Sequence, residues 1–278
     1  MRWFKAYLLI LLVSPAWAVD DYVIGGGVEG DSADGLTGAL FADVGFTSKT
    51  RIYGSIGQSN VPLPFGIDLN TSYGDLGFDY WFDPVGIRIE AAYWGDSDIF
   101  DSVDGRAALY WRNDKLTLTG NLEYRDFEFD IFRADLMLGR DVRFHAKGAG
   151  LAAVFRVNDT ISLNFSGINY DYNVNLGRAG NRDFTDFLSA SRLSLINSLV
   201  DYRVGAGIGM DRGLRRWDIN YRTWKGAVDG SITHSATLNL LTPLGQNSDV
   251  QFGLGVDNSD TYGSITFFSV HLFFYGTH

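Results

Sequence analysis

The chain has 278 residues, with 33 Asp and Glu against 23 Lys and Arg, and no cysteine. The acidic balance argues against nucleic acid as a partner, and the missing cysteines exclude disulfide staples. Beyond its first residues, nothing approaches the roughly 20 apolar residues of a membrane helix, so any crossing of a membrane falls to strands.

"MRWFK" places Arg2 and Lys5 ahead of the apolar run "AYLLILLV", and "SPAWA" follows with Ala16 and Ala18. That order predicts a secretory signal peptide over residues 1–18, cleaved after Ala18. Loss of Arg2 and Lys5 leaves 21 basic against 33 acidic side chains in the mature chain, 19–278, a net charge of −12. Its length of about 260 residues suits one large domain.

Apolar residues then recur at every second position, the period of strands. The pattern predicts strands over Tyr22–Gly30, Leu36–Phe46, Arg51–Gln58, Tyr73–Phe82, Gly86–Gly95, Val103–Arg112 and Lys115–Arg125. It continues over Ala146–Val157, Thr160–Tyr172, Leu199–Met210, Leu214–Lys225, Ser231–Thr242, Val250–Asp257 and Ser264–Tyr275. These are about fourteen, near the roughly 9–11 residues of a tilted membrane strand; boundary error admits twelve or sixteen.

The links alternate in length. Even strands are followed by turn formers, "SKT", "DPV", "ND", "ND" and "DRG", then "PLGQNSD". Odd strands are followed by "DSADG", "NVPLPFGIDLN", "DSDIFDS", a long stretch from Asp126 to Arg143, and another from Asn173 to Ser198. Short turns at one end and longer loops at the other are the asymmetry of outer-membrane barrels. The 126–143 and 181–198 stretches each read as a loop that folds inward as a constriction or plug, or as strands extended above the membrane, with Leu193, Leu195 and Val200 nearly in strand phase. Within 181–198, Phe184, Leu188 and Leu195 have helix-like spacing.

The faces agree. Ile87, Ile89, Ala91 and Tyr93 alternate with Arg88, Glu90 and Ala92, and Trp217, Ile219 and Tyr221 alternate with Arg216, Asp218, Asn220 and Arg222. A closed sheet of about fourteen strands has a lumen too wide for side chains to fill, so the polar face belongs inside and the apolar face meets lipid. The fold class is therefore all-β: a transmembrane, antiparallel, up-and-down β-barrel. Aromatic runs at strand ends, Tyr80–Phe82, Tyr93–Trp94, Tyr110–Trp111, Tyr170 with Tyr172, and Phe273–Tyr275, are expected to form girdles at headgroup depth.

The last segment, "SITFFSVHLFFYGTH", alternates Phe268, Val270, Leu272 and Phe274. It resembles the C-terminal signal of Gram-negative outer-membrane proteins, although that pattern ends on the aromatic and here Gly276, Thr277 and His278 follow. The resemblance implies a porin-like barrel of the outer membrane, with lipid around it.

Little in the chain points to catalysis. His145, His234, His271 and His278 lack metal-ligand spacing, and no cofactor is implied. "GAGIGMDRG" puts Arg212 where a dinucleotide motif needs glycine. His234 and Ser235 fall on opposite faces of a strand; Ser269 and His271 share one. The lumen is the informative constellation. Its expected lining is Asp43, Asp75, Asp79, Arg88, Glu90, Arg106, Arg112, Glu123, Arg125, Arg156, Asp201, Arg203, Arg216, Asp218 and Arg222, with Glu29 and Asp104 beside them. Acid leads early and arginine later, so closure brings an acidic wall to a basic one, a field that orients polar solutes; the same charges also suit pairing across strands. The reading is a channel for ions or small hydrophilic solutes. The alternatives are a non-conducting adhesive barrel and a lipid-acting hydrolase.

Overall fold

A computed structural model describes residues 19–63, 67–96, 100–133, 138–173, 199–227, 229–261 and 263–277. They form fourteen strands: β1 (Asp21–Asp31), β2 (Leu36–Thr47), β3 (Thr50–Leu63), β4 (Ile67–Trp81), β5 (Val85–Asp96), β6 (Phe100–Arg112) and β7 (Leu116–Arg133). Then come β8 (Leu138–Arg156), β9 (Ile161–Tyr172), β10 (Val200–Arg212), β11 (Arg215–Gly226), β12 (Ile232–Pro243), β13 (Ser248–Ser259) and β14 (Gly263–Thr277). Each strand pairs antiparallel with its sequence neighbours, and β1 closes on β14. Closure leaves no sheet edge, which a span through lipid requires.

Local chemistry makes the tight turns at the end that holds both chain ends. Asn113 Oδ1 accepts from Lys115 N (2.9 Å) and Leu116 N (2.8 Å), and Asn158 Oδ1 accepts from Thr160 N (2.9 Å) and Ile161 N (2.8 Å). These side chains mimic a backbone turn. Gly213 supplies the left-handed residue (φ 64°) between β10 and β11.

The opposite end departs from expectation. Residues 64–66 alone separate β3 from β4, and 97–99 separate β5 from β6. The stretch from Asp126 to Arg143 is mostly strand: β7 and β8 stay in register through Phe129↔Val142 and Arg133↔Leu138. Backbone pairing satisfies the hairpin beyond the span without a separate loop fold. The expected helix in 181–198 lies outside the described residues.

One row of every strand is apolar and exposed. It includes Leu40, Ile56, Leu76, Ile89, Leu109, Leu122, Leu151, Phe165, Ile208, Ile219, Leu238, Leu254 and Phe268. The other row is polar and partly sealed, with Ser102, Asp104, Arg125, Ser235, Asp257 and Ser269 below a tenth exposed. Curvature identifies the concave side. Tyr53 Oη on β3 reaches Glu90 on β5 at 3.0 Å, passing over Gly77 of β4, where an added Cβ would collide with the ring. Side chains converge across an intervening strand only on the inside of a closed wall. The apolar row therefore faces outward.

The expected girdles are partly corrected. Tyr80, Phe82, Tyr93, Trp111 and Phe274 lie on the outward row with Tyr22, Tyr124, Tyr202 and Tyr221. Trp81, Trp94, Tyr110, Tyr170, Tyr172, Phe273 and Tyr275 lie on the inward row. Consecutive residues alternate faces, so a run of aromatics cannot all reach lipid. Several inward rings pack together at the end away from the turns. Phe127 stacks on Phe144 at 5.0 Å, Tyr172 adjoins both, and Trp94 lies 4.1 Å from Phe100. Phe100, Phe127 and Phe144 are each 3% exposed or less.

Candidate functional site: the inward wall

The inward charges are organised by strand register. On β1–β3, Arg51 meets Asp21 (2.8 Å) and Asp43 (2.9 Å). Asp75 takes the Ser55 hydroxyl. Asp79 accepts from Arg88 Nη2 (2.7 Å), Arg88 Nε (2.9 Å) and Tyr110 Oη (2.6 Å). Glu90 takes Arg106 as well as Tyr53; Arg106 also reaches Asp104 (3.1 Å), and Asp104 reaches Arg125 (3.2 Å). Arg125 is 6% exposed and stands 5.0 Å from the Phe127 ring and 5.9 Å from Tyr170. Glu123 accepts from Tyr170 Oη at 2.6 Å. From β3 to β9, then, the wall is laced by cross-strand pairs that hold it rigid.

The rest of the wall is different. On β9–β14 it carries Asn164, Ser166, Asn220, Thr237, Asn239 and Gln251 between Gly205, Gly207, Gly253 and Gly255. Arg216 is held by Asp218 (3.0 Å) and Asp211 (3.3 Å) near the turns. Arg112 stacks over Trp81 at 4.3 Å. Arg156 faces inward beside Ser162, exposed. Arg203 and Arg222 face inward and exposed from adjacent strands, with no carboxylate in ion-pair contact among the described residues.

Asp201 sits elsewhere. The β10–β11 register slips between Val200 and Tyr202, and its carboxylate takes Lys225 Nζ at 2.8 Å. Lys225 belongs to the outward row of Tyr221 and Thr223, so Asp201 joins the rim. Sequence reading missed Arg51, Asp21 and Asp211, and also the tyrosine hydroxyls that bridge carboxylates. Strict alternation from Tyr53 back to Arg51 held the signal for the first.

Charge separation is weaker than the sequence alone implies. Asp43 and Asp79 of the early wall are matched by Arg51 and Arg88. Among the described residues, the inward charges outside ion pairs on β10–β14 and β1 are Arg203 and Arg222 on one side and Glu29, Asp31, Asp249 and Asp257 on the other. Ser269 and His271 share the inward row, but Ser269 Oγ lies over Gly253 and the His271 ring over Gly27, with no bond between them. His234 points outward and its Nδ1 meets Tyr221 Oη at 2.7 Å.

No protein-family model and no curated protein matches the sequence. Solved structures do match in shape. CymD, a monoaromatic hydrocarbon channel, superposes with a TM-score of 0.56 at 8% identity, over 94% of this chain and 89% of its own. A TodX deltaS2S3 mutant, also a monoaromatic hydrocarbon channel, gives 0.54 at 9% identity over 96% and 92%. The loop-deleted OmpT, an outer membrane protein of Vibrio cholerae, gives 0.53 at 8% identity over 93% and 99%. The chain has the fold of the porin-like outer-membrane barrels. Within that barrel fold, the inward wall is the surface a passing solute would meet.

Proposed function

We propose that this chain is an outer-membrane channel for ions or small hydrophilic solutes, exported by a signal peptide over residues 1–18. The reading rests on one observation: a closed fourteen-strand wall with an apolar outward row and an inward row on which β9–β14 offer half-buried amides and hydroxyls and two exposed guanidinia that have no carboxylate partner among the described residues. Such a wall replaces part of a solute's hydration without sealing the lumen. The expected lining residues Asp43, Asp75, Asp79, Arg88, Glu90, Arg106, Arg112, Glu123, Arg125, Arg156, Arg203, Arg216, Asp218 and Arg222 would border the path, those on β3–β8 mainly as a rigid frame. Purified protein in a planar bilayer should give discrete current steps. Silence, both intact and with residues 174–198 excised, overturns the reading.

A second reading, a non-conducting barrel that binds partners at its rim, draws on the packed inward rings Phe127, Phe144 and Tyr172. A silent barrel would favour it. A lipid hydrolase draws nothing from Ser269 and His271, because a nucleophile needs its base within hydrogen-bond reach.

A further inference from the structure

The inward arginines Arg51, Arg88, Arg106, Arg125 and Arg216 each have a carboxylate. Among the described residues Arg203 and Arg222 have none, although they occupy adjacent strands: Arg203 pairs in register with Trp224, and Arg222 with Gly205. Two like charges side by side destabilise a sheet unless something lies between them.

The glycine explains the arrangement. An added Cβ at Gly205 would stand 3.0 Å from Arg222 Cγ and 3.4 Å from Ser166 Oγ. The Arg222 stem therefore lies across the bare backbone of β10, toward Arg203. Asp257 shares the register row of Arg222 through Ser235, two strands away on β13, and makes no ion-pair contact with it. Trp224 is 4% exposed, and its Nε1 has no acceptor among the described residues. Around Gly205, then, donors exceed acceptors on a lumen-facing patch.

We propose that Arg203, Arg222 and the Ser166 hydroxyl, over the floor left by Gly205, form a carboxylate-binding step in the lumen. This rests on the channel reading and adds a solute class to it. Two guanidinia on neighbouring strands present forks that match two anionic oxygens. The acids facing the patch, Asp257 across β12 and Glu123 behind Tyr170, favour a monoanion over a phosphate dianion. The overall acidity of the chain makes a local cationic step the more selective.

The test uses the full mature chain in planar bilayers carrying KCl current. Acetate should reduce the current saturably, phosphate at equal concentration less, and neutral acetamide not at all. Arg203→Gln and Arg222→Gln should each raise the half-saturating acetate concentration by about tenfold, the worth of one charge-assisted hydrogen bond. Arg222→Lys should keep the reversal potential in a salt gradient but weaken acetate, because a point charge lacks the fork. Unchanged acetate titrations in both glutamine variants overturn the site and leave the channel standing; stronger block by phosphate or by acetamide overturns the carboxylate assignment. If no form conducts, the channel reading fails, and line broadening of 13C-acetate by detergent-solubilised protein decides the site: broadening lost in the glutamine variants supports it, broadening absent or unchanged overturns it.

Discussion

Asp104 and Arg125 lie 3.2 Å apart, 3% and 8% exposed at their side chains, inside a wall most of whose neighbours are wetter. A charge there has little water to turn to when its ion-pair partner is removed. Asp104→Asn should cost about 3–5 kcal/mol, the usual consequence of breaking one side of a buried pair. Asp104→Asn with Arg125→Met should recover much of the loss; urea unfolding in lipid vesicles measures both. Gly77 makes a second residue-scale case. Tyr53 crosses it to reach Glu90, so Gly77→Val must displace the ring and break a 3.0 Å bond. A loss of about 1–3 kcal/mol is expected, as for overpacking elsewhere, read as a lower temperature for the heat-induced mobility shift on gels. Neither residue advertises this in the sequence. Gly77 looks there like one more bare position, because the partner that needs the space is 24 residues away on the previous strand.

At the scale of the element, alternation was legible and its reach was not. Fourteen strands are visible because each keeps one oily row. Their ends are longer than hydrophobicity marks, since β7 has 18 residues and β8 has 19, and past the lipid neither row needs to be apolar. The aromatic runs misled for a related reason: Tyr110 and Trp111 are neighbours in sequence and back to back in the wall. Asp201 misled because a slip of one residue in register exchanges the faces. Alternation also makes a sharp forecast for two adjacent positions of β7. Leu122→Arg puts a charge on the outward row and should destabilise by about 2–4 kcal/mol near mid-bilayer. Asn121→Arg, one residue earlier, should leave the unfolding midpoint nearly unchanged and shift the reversal potential toward anions.

For the whole molecule, the decisive property is which surface meets which solvent. The natural absence of cysteine makes this directly measurable. In lipid vesicles, Asn239→Cys should react with a water-soluble maleimide and Leu238→Cys should not; the opposite result would turn the barrel inside out. This inversion could be read from composition and strand number, because a sheet of this many strands encloses more than its side chains fill. Which charges pair could not, since Asp79 finds Arg88 only through the register of β4 and β5, and Tyr110 through the curvature that brings β6 over β5.

The seam between β1 and β14 has one more consequence. Asp21 and Thr277 are register partners, so the last strand finishes beside the place where the first begins. The wall is a ring, and its first strand is first only in order of synthesis. A few residues joining those ends, with a new opening cut at Asn113–Asp114, would give a circular permutant with every ladder intact, and such a rearranged chain should refold in detergent to the same cylinder.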